Sequence, residues 1–235
     1  MAADLRRDEG PAPDDRSLDL NNWSVIYINM ESSKHPIRGR PVNEQARIER
    51  RQVILAGARE CIIRSGFHAA SMSEIAASAG VSTANIYQYF DSKDSLIVAL
   101  IRLGIEADLA LIRRVGLSGL HPDAVREVLA PYFLTEVGRS AAVLHCEFAA
   151  EAARNRLVAQ MLAEAETAAL SAMHNAISAA QGKGRVPAEV DASLAAEQFS
   201  FVFDGVSRQL VRPGADGRAL LDATMLHFTT LLKLT

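Results

Sequence analysis

Between Ser71 and Phe90 the sequence reads Ser-Met-Ser-Glu-Ile-Ala-Ala-Ser-Ala-Gly-Val-Ser-Thr-Ala-Asn-Ile-Tyr-Gln-Tyr-Phe, and one glycine in it dictates how the chain must turn. Met72, Ile75, Ala76 and Ala79 recur at helical spacing, which predicts a short helix with one apolar side and a small residue where a second helix comes close. Gly80 follows directly. A glycine past the last periodic residue enters the left-handed region without a side-chain penalty and turns the chain sharply. Val81 is expected to plug the corner and Ser82 to cap a second helix. In that helix Ile86 and Phe90 lie four apart and pack inward, leaving Thr83, Ala84, Tyr87 and Gln88 on the outer face.

Two short helices across a glycine corner form a helix-turn-helix pattern, and a small, polar outer face at the start of the second helix suits the major groove of DNA. Gln88 matches adenine bidentately, Thr83 matches base edges or phosphate, and the Ala84 methyl matches thymine. Tyr87 and Tyr89 are expected to donate their hydroxyls to phosphates. Asn85 stays open between a base-edge contact and a local backbone bond. The following Asp91-Ser-Lys-Asp-Ser-Leu96 starts another helix with Asp91 or Ser92 as its cap. Lys93 gains nothing from the dipole in that first turn, so a phosphate is its better partner.

Taken together, Ile75-Ala-x-x-Ala-Gly-Val-Ser82, Ile86-Tyr-x-Tyr-Phe90 and Ser92-Lys-Asp-x-Leu96 resemble the tetracycline-repressor (TetR, AcrR-type) family of one-component regulators. The resemblance extends upstream to Arg51-Gln-Val-Ile-Leu-Ala-Gly-Ala58 and Gly66-Phe67, and so covers Arg47 to Glu106. It implies an all-α fold: an N-terminal three-helix DNA-binding domain with the helix-turn-helix, then a C-terminal helical domain for ligand binding and dimerisation. It also implies a sequence-specific repressor that a small-molecule effector releases from double-stranded operator DNA. By the same resemblance, Thr83, Ala84 and Gln88 meet bases while Ser71, Tyr87, Tyr89 and Lys93 hold the phosphate backbone. Ser73 and Asn85 complete the DNA-facing set. Asn85 stands where the family more often has a small residue or threonine, so the operator sequence does not transfer.

The net charge of −3 argues against an indiscriminate nucleic-acid binder and directs attention to where the charges lie. From Lys34 to Arg64 there are eight bases (Lys34, Arg38, Arg40, Arg47, Arg50, Arg51, Arg59, Arg64) against three acids (Glu44, Glu49, Glu60), beside the expected reading head. A solvated charged helix face is the competing reading for these arginines. Arg38-Gly-Arg-Pro41 reads either as a pair of arginines for a narrow minor groove or as a basic arm on phosphates; both face DNA.

Residues 1–36, rich in Asp, Pro and Asn around an isolated apolar Trp23-Ser-Val-Ile-Tyr-Ile28, are expected to be a disordered leader, with translation starting at Met30 as one expectation. The DNA-binding domain with its basic arm is assigned to 37–92 and the effector-binding and dimerisation domain to 93–235. The acidic N-terminus suits neither signal nor transit peptide, and no run approaches the roughly 18 apolar residues of a membrane span. A cytoplasmic protein without membrane partner is expected, with Cys61 and Cys146 as core thiols rather than a disulfide.

The first helix is predicted from Val42 or Glu44 to Ser65, ending at Gly66. Later helices are predicted over 92–115, 122–137, 140–153, 155–181, 188–211 and 217–233, with a break at Gly138-Arg-Ser140 and a kink or break at Pro131. The last two have broad apolar faces. Phe199, Val202 and Val206 on one and Leu221, Met225, Phe228 and Leu232 on the other are assigned to a homodimer interface, in which two helix pairs form a four-helix bundle. Two-fold symmetry would set the reading heads about 34–36 Å apart. The competing reading is that these residues are one chain's own core; the family resemblance favours the dimer.

Ala-rich helices with scattered large side chains leave either an apolar cavity or an ordinary core. Tyr132, His145, Glu147, Phe148, Glu151 and Met173 are the candidate effector contacts. Glu147 and Glu151, four apart, would favour a cationic ligand if both entered a cavity; an ion pair with Arg154 competes with that reading. No catalytic constellation is evident. The six histidines include no His-x-x-x-His, the adjacent His145 and Cys146 diverge on a helix, and no phosphate-cradling glycine loop or nucleophile elbow occurs. Neither enzyme, metal nor cofactor is expected. The alternative function is a helical ligand- or partner-binding module without specific DNA recognition.

Overall fold

Ile54, Leu55, Ala58, Cys61 and Ile62 bury one side of a long first helix, α1 (Glu44–Ala69), in the computed structural model, which describes residues 44–234. The expectations for the leader, the Met30 start, Arg38, Arg40 and the rest of the arm lie outside the described residues. At Gly66 the backbone leaves helical geometry, with φ 76° and ψ 169°, where the sequence predicts the end of the helix. α2 (Met72–Ser78) crosses α1 closely. A Cβ on Gly57 would stand 2.6 Å from the Ala79 Cβ and backbone nitrogen, so glycine is what lets the two backbones approach.

Six further helices carry the chain to its end after the short α3 (Thr83–Tyr87): α4 (Lys93–Leu117), α5 (Pro122–Leu134), α6 (Glu136–Ala152), α7 (Arg156–Gly182), α8 (Ala192–Leu210) and α9 (Gly217–Leu231). Among the described residues there is no strand. Side-chain caps set the entries: Ser92 accepts from the Ser95 amide, Asn155 from Leu157 and Val158, Asp191 from Ser193 and Leu194, and Asp216 from Arg218 and Ala219.

One boundary differs from the sequence expectation. The predicted break at Gly138 to Ser140 is absent; α6 runs through it, and the chain turns at Thr135. Thr135 accepts from the Gly138 amide at 3.1 Å and donates to the Pro131 carbonyl at 2.7 Å, so one side chain serves both ends of the corner. Gly138 is required by packing instead, because a Cβ there would collide with the Tyr132 carbonyl. Pro131 lies in the last turn of α5, which continues to Leu134.

The apolar interior forms two clusters. One joins α1, α2 and α3, through Ile54, Ile75, Ile86 and Phe90, to Leu96, Leu100 and Ile101 at the start of α4 and to Leu144 and Phe148 of α6. The other gathers the second half of α4 with α5 to α9. Leu221, Met225, Phe228 and Leu232 belong to this second cluster and are buried within their own chain. The large apolar side chains that α8 and α9 leave exposed are Leu194, Phe201 and Leu226. No helix among the described residues is long and apolar enough to cross a membrane.

Candidate nucleic-acid interface and interior cavity

Ser71 caps α2 through a reciprocal box: its hydroxyl oxygen accepts from the Glu74 amide at 3.2 Å, and its own amide donates to Glu74 Oε2 at 2.8 Å. The Ser71 hydroxyl also lies 2.9 Å from that of the exposed Ser73. Gly80 has φ +64° with open space around it, and the chain re-enters helix at Ser82, whose side chain accepts from the Asn85 amide at 3.1 Å. Ile86 and Phe90 are buried, and the Arg51 guanidinium sits 4.9 Å from the centre of the Phe90 ring, joining α1 to the segment that follows α3.

This packing turns one face of α3 outward. Ala84, Tyr87 and Gln88 are exposed, and Thr83, Asn85 and Tyr89 are half-buried. Asn85, left open by the sequence, donates from its side-chain amide to Gln88 Oε1 at 3.1 Å, which holds Gln88 in one orientation. Lys93, in the first turn of α4, donates to the His68 carbonyl at 3.3 Å. Arg47, Arg50 and Arg64 are exposed on α1, whereas Arg59 is drawn inward; burial lowers its pKa, with Glu60 opposing.

The helical body holds a cavity of about 480 Å³, partly open to solvent and lined from α4, α5, α6, α7, α8 and α9. Five phenylalanines, Phe133, Phe148, Phe199, Phe203 and Phe228, contribute to its wall, with Met173, Val202 and Val206. Phe199, Val202 and Val206, expected at a dimer interface, thus face this cavity. Of the candidate effector contacts, His145, Phe148 and Met173 line it, and three do not. Tyr132 is buried behind Phe203, ring centres 5.1 Å apart, with its hydroxyl 2.7 Å from Ser207 Oγ. Ser207 donates its own proton to the Phe203 carbonyl at 2.7 Å, so Tyr132 is the donor between them; burial pushes its phenol above the ordinary range. Glu147 accepts from the Phe67 amide at 3.2 Å, and Glu151 lies 3.9 Å from His68 Nε2. These two carboxylates therefore serve the end of α1, where backbone and imidazole donors face them.

Of the cavity's charged groups, the sequence reading selected His145 but not the two acids beside it. His145 Nε2 is 2.8 Å from Asp204 Oδ1, and its Nδ1 is 3.9 Å from Asp108 Oδ2. Burial pulls the imidazole pKa down, but the two carboxylates outweigh it and lift the value to about 9. The sequence does carry a signal for both acids: Asp108 interrupts the apolar run of Ile105 to Ile112, and Asp204 ends Phe-Ser-Phe-Val-Phe.

A glycine-cornered helix pair with its polar face outward, packed on a helical body that holds a cavity, defines a helix-turn-helix protein with an interior pocket. The family model described as bacterial regulatory proteins, tetR family, matches residues 54–100. The HTH-type transcriptional regulator UidR of Escherichia coli (strain K12) is 30% identical over 167 residues, 71% of this chain and 77% of that protein. The transcriptional activator FasR of Mycolicibacterium smegmatis is 39% identical over 82 residues, 34% of this chain and 37% of its own. The solved structure of Salmonella enterica GusR superposes with a TM-score of 0.65 at 29% identity, covering 79% of this chain and 96% of that one. The chain belongs to the tetR family of bacterial regulatory proteins and is a DNA-binding transcriptional regulator.

Proposed function

We propose that this regulator is a cytoplasmic repressor that binds operator DNA as a homodimer and lets go when a small molecule enters the cavity. The observation that carries this reading is Phe148. It lines the cavity and also stacks on Phe67 at 5.9 Å between ring centres, and Phe67 belongs to the apolar cluster beneath the helix-turn-helix. A ligand that moves Phe148 moves a side chain on which the reading head rests. Release then follows if the ligand binds the DNA-free arrangement more tightly than the DNA-bound one.

In this reading Thr83, Ala84 and Gln88 meet bases, with Asn85 orienting Gln88, and Ser71, Ser73, Tyr87, Tyr89 and Lys93 hold the backbone. The DNA-binding domain ends near residue 92. The dimer forms through the exposed Leu194, Phe201 and Leu226 of α8 and α9, which are 52%, 68% and 69% accessible in the single chain. Sedimentation of the wild type should give a dimer and of Phe201→Asp a larger monomer fraction; a monomeric wild type would end this part of the proposal. Calorimetric titration of candidate effectors, with and without operator DNA, tests release: an effector must bind free protein more tightly than the DNA complex.

A further inference from the structure

The expectation of a cation-selective pocket attached to Glu147 and Glu151, which turn away; the cavity meets the same chemistry with other residues. Asp108 of α4 and Asp204 of α8 flank His145 of α6, and Glu166 of α7 adds a third carboxylate to the lining. Among the described residues, no lysine or arginine lines the cavity. With His145 protonated, two carboxylates face one imidazolium, so the trio retains one surplus negative charge and Glu166 supplies another. The rest of the wall is largely apolar, and its five phenylalanines offer faces of negative quadrupole.

Each of these features acts in the same direction. A cation seated against Asp108 and Asp204 meets two carboxylates at contact, where the attraction survives although Asp204, 65% exposed, and Asp108, 39% exposed, are partly screened by solvent. Aromatic faces attract organic cations and do not attract anions. An anion entering here would lose its hydration without a cationic side chain to replace it, since the single imidazolium is already taken by Asp204 at 2.8 Å. The volume suits a ligand of drug size.

We propose that the cavity takes a lipophilic organic cation, an amine or quaternary onium whose charge lies against Asp108 and Asp204 and whose apolar body lies among the phenylalanines. This rests on the reading of the cavity as the effector site, but the two stand or fall on different measurements. Glu166 is exposed and contributes at long range, whereas Asp108 and Asp204 act at contact.

The test uses the full chain and two probes of closely similar shape and opposite charge, tetraphenylphosphonium and tetraphenylborate, with affinity read by calorimetry. The phosphonium should bind at least tenfold more tightly. Asp108→Asn and Asp204→Asn should each weaken it several-fold while leaving or improving borate binding. Equal or tighter borate binding by the wild type, or no phosphonium binding, overturns the proposal without reference to any variant. Undiminished phosphonium affinity in both Asn variants overturns it too. If the phosphonium binds as stated but leaves DNA affinity unchanged, the cation assignment stands and the release mechanism falls.

Discussion

Glu147 on α6 accepts a hydrogen bond from the Phe67 backbone amide at 3.2 Å, just past the break at Gly66, and so ties the end of α1 to the helical body. Gly66 itself is tightly placed: a Cβ there would stand 3.3 Å from Glu147 Oε2. Replacing Glu147 by Gln keeps an acceptor and should change stability little. Glu147→Leu leaves the amide without one and should cost about 1–3 kcal/mol in urea unfolding. Equal stability of the two variants would show that water replaces the carboxylate.

Gly57 lets α1 and α2 cross, and the neighbouring atoms at 2.6 Å are backbone as well as side chain, so they cannot simply rotate away. Gly57→Ala should destabilise by about 1–3 kcal/mol despite the better helix propensity of alanine. Because the displaced element is α2, DNA affinity should fall as well. Wild-type stability in thermal unfolding would contradict this packing.

His145 makes stability depend on pH. Its folded pKa is about 9 against an ordinary 6.5, so its contribution is fully present below about 6.5 and disappears as pH rises through 9. The charges facing the imidazole are those of Asp108 and Asp204. Asp204 is 65% exposed and solvent screens it, so the expected loss between pH 6 and pH 10 is on the order of 1–2 kcal/mol. Urea midpoints across this range should fall more for the wild type than for His145→Gln. Parallel profiles would contradict the ion pairing.

The helix-turn-helix was legible because its information is local. Gly80, Ser82, Ile86 and Phe90 act within one or two turns, and the structure places the corner, the cap and both buried side chains as the periodicity predicts. Helix boundaries at Ser92, Asn155 and Asp216 are local in the same way. The assignments that changed depend on tertiary packing. An apolar stripe such as Leu221, Met225, Phe228 and Leu232 looks the same in sequence whether its own chain or a partner covers it, and its own chain covers it here. Glu147 and Glu151 share a helix face with Phe148 nearby, yet the single-residue step from Glu147 to Phe148, about 100° around the helix, separates the end of α1 from the cavity. Asp108, His145 and Asp204 come from three helices and are up to 96 residues apart (204 − 108), so no window of sequence joins them.

Fluorescence anisotropy on the genomic DNA flanking this regulator's own gene, compared with scrambled DNA over a salt series, addresses the reading head directly. The wild type should prefer one flanking fragment, with affinity falling steeply as salt rises. Gln88→Ala should lose about 1–3 kcal/mol of preference at one base position with the salt slope unchanged, whereas Lys93→Ala should weaken all fragments alike and reduce that slope. A folded protein that binds flanking and scrambled DNA equally at every salt concentration would contradict the assignment of α3 as a base-reading helix.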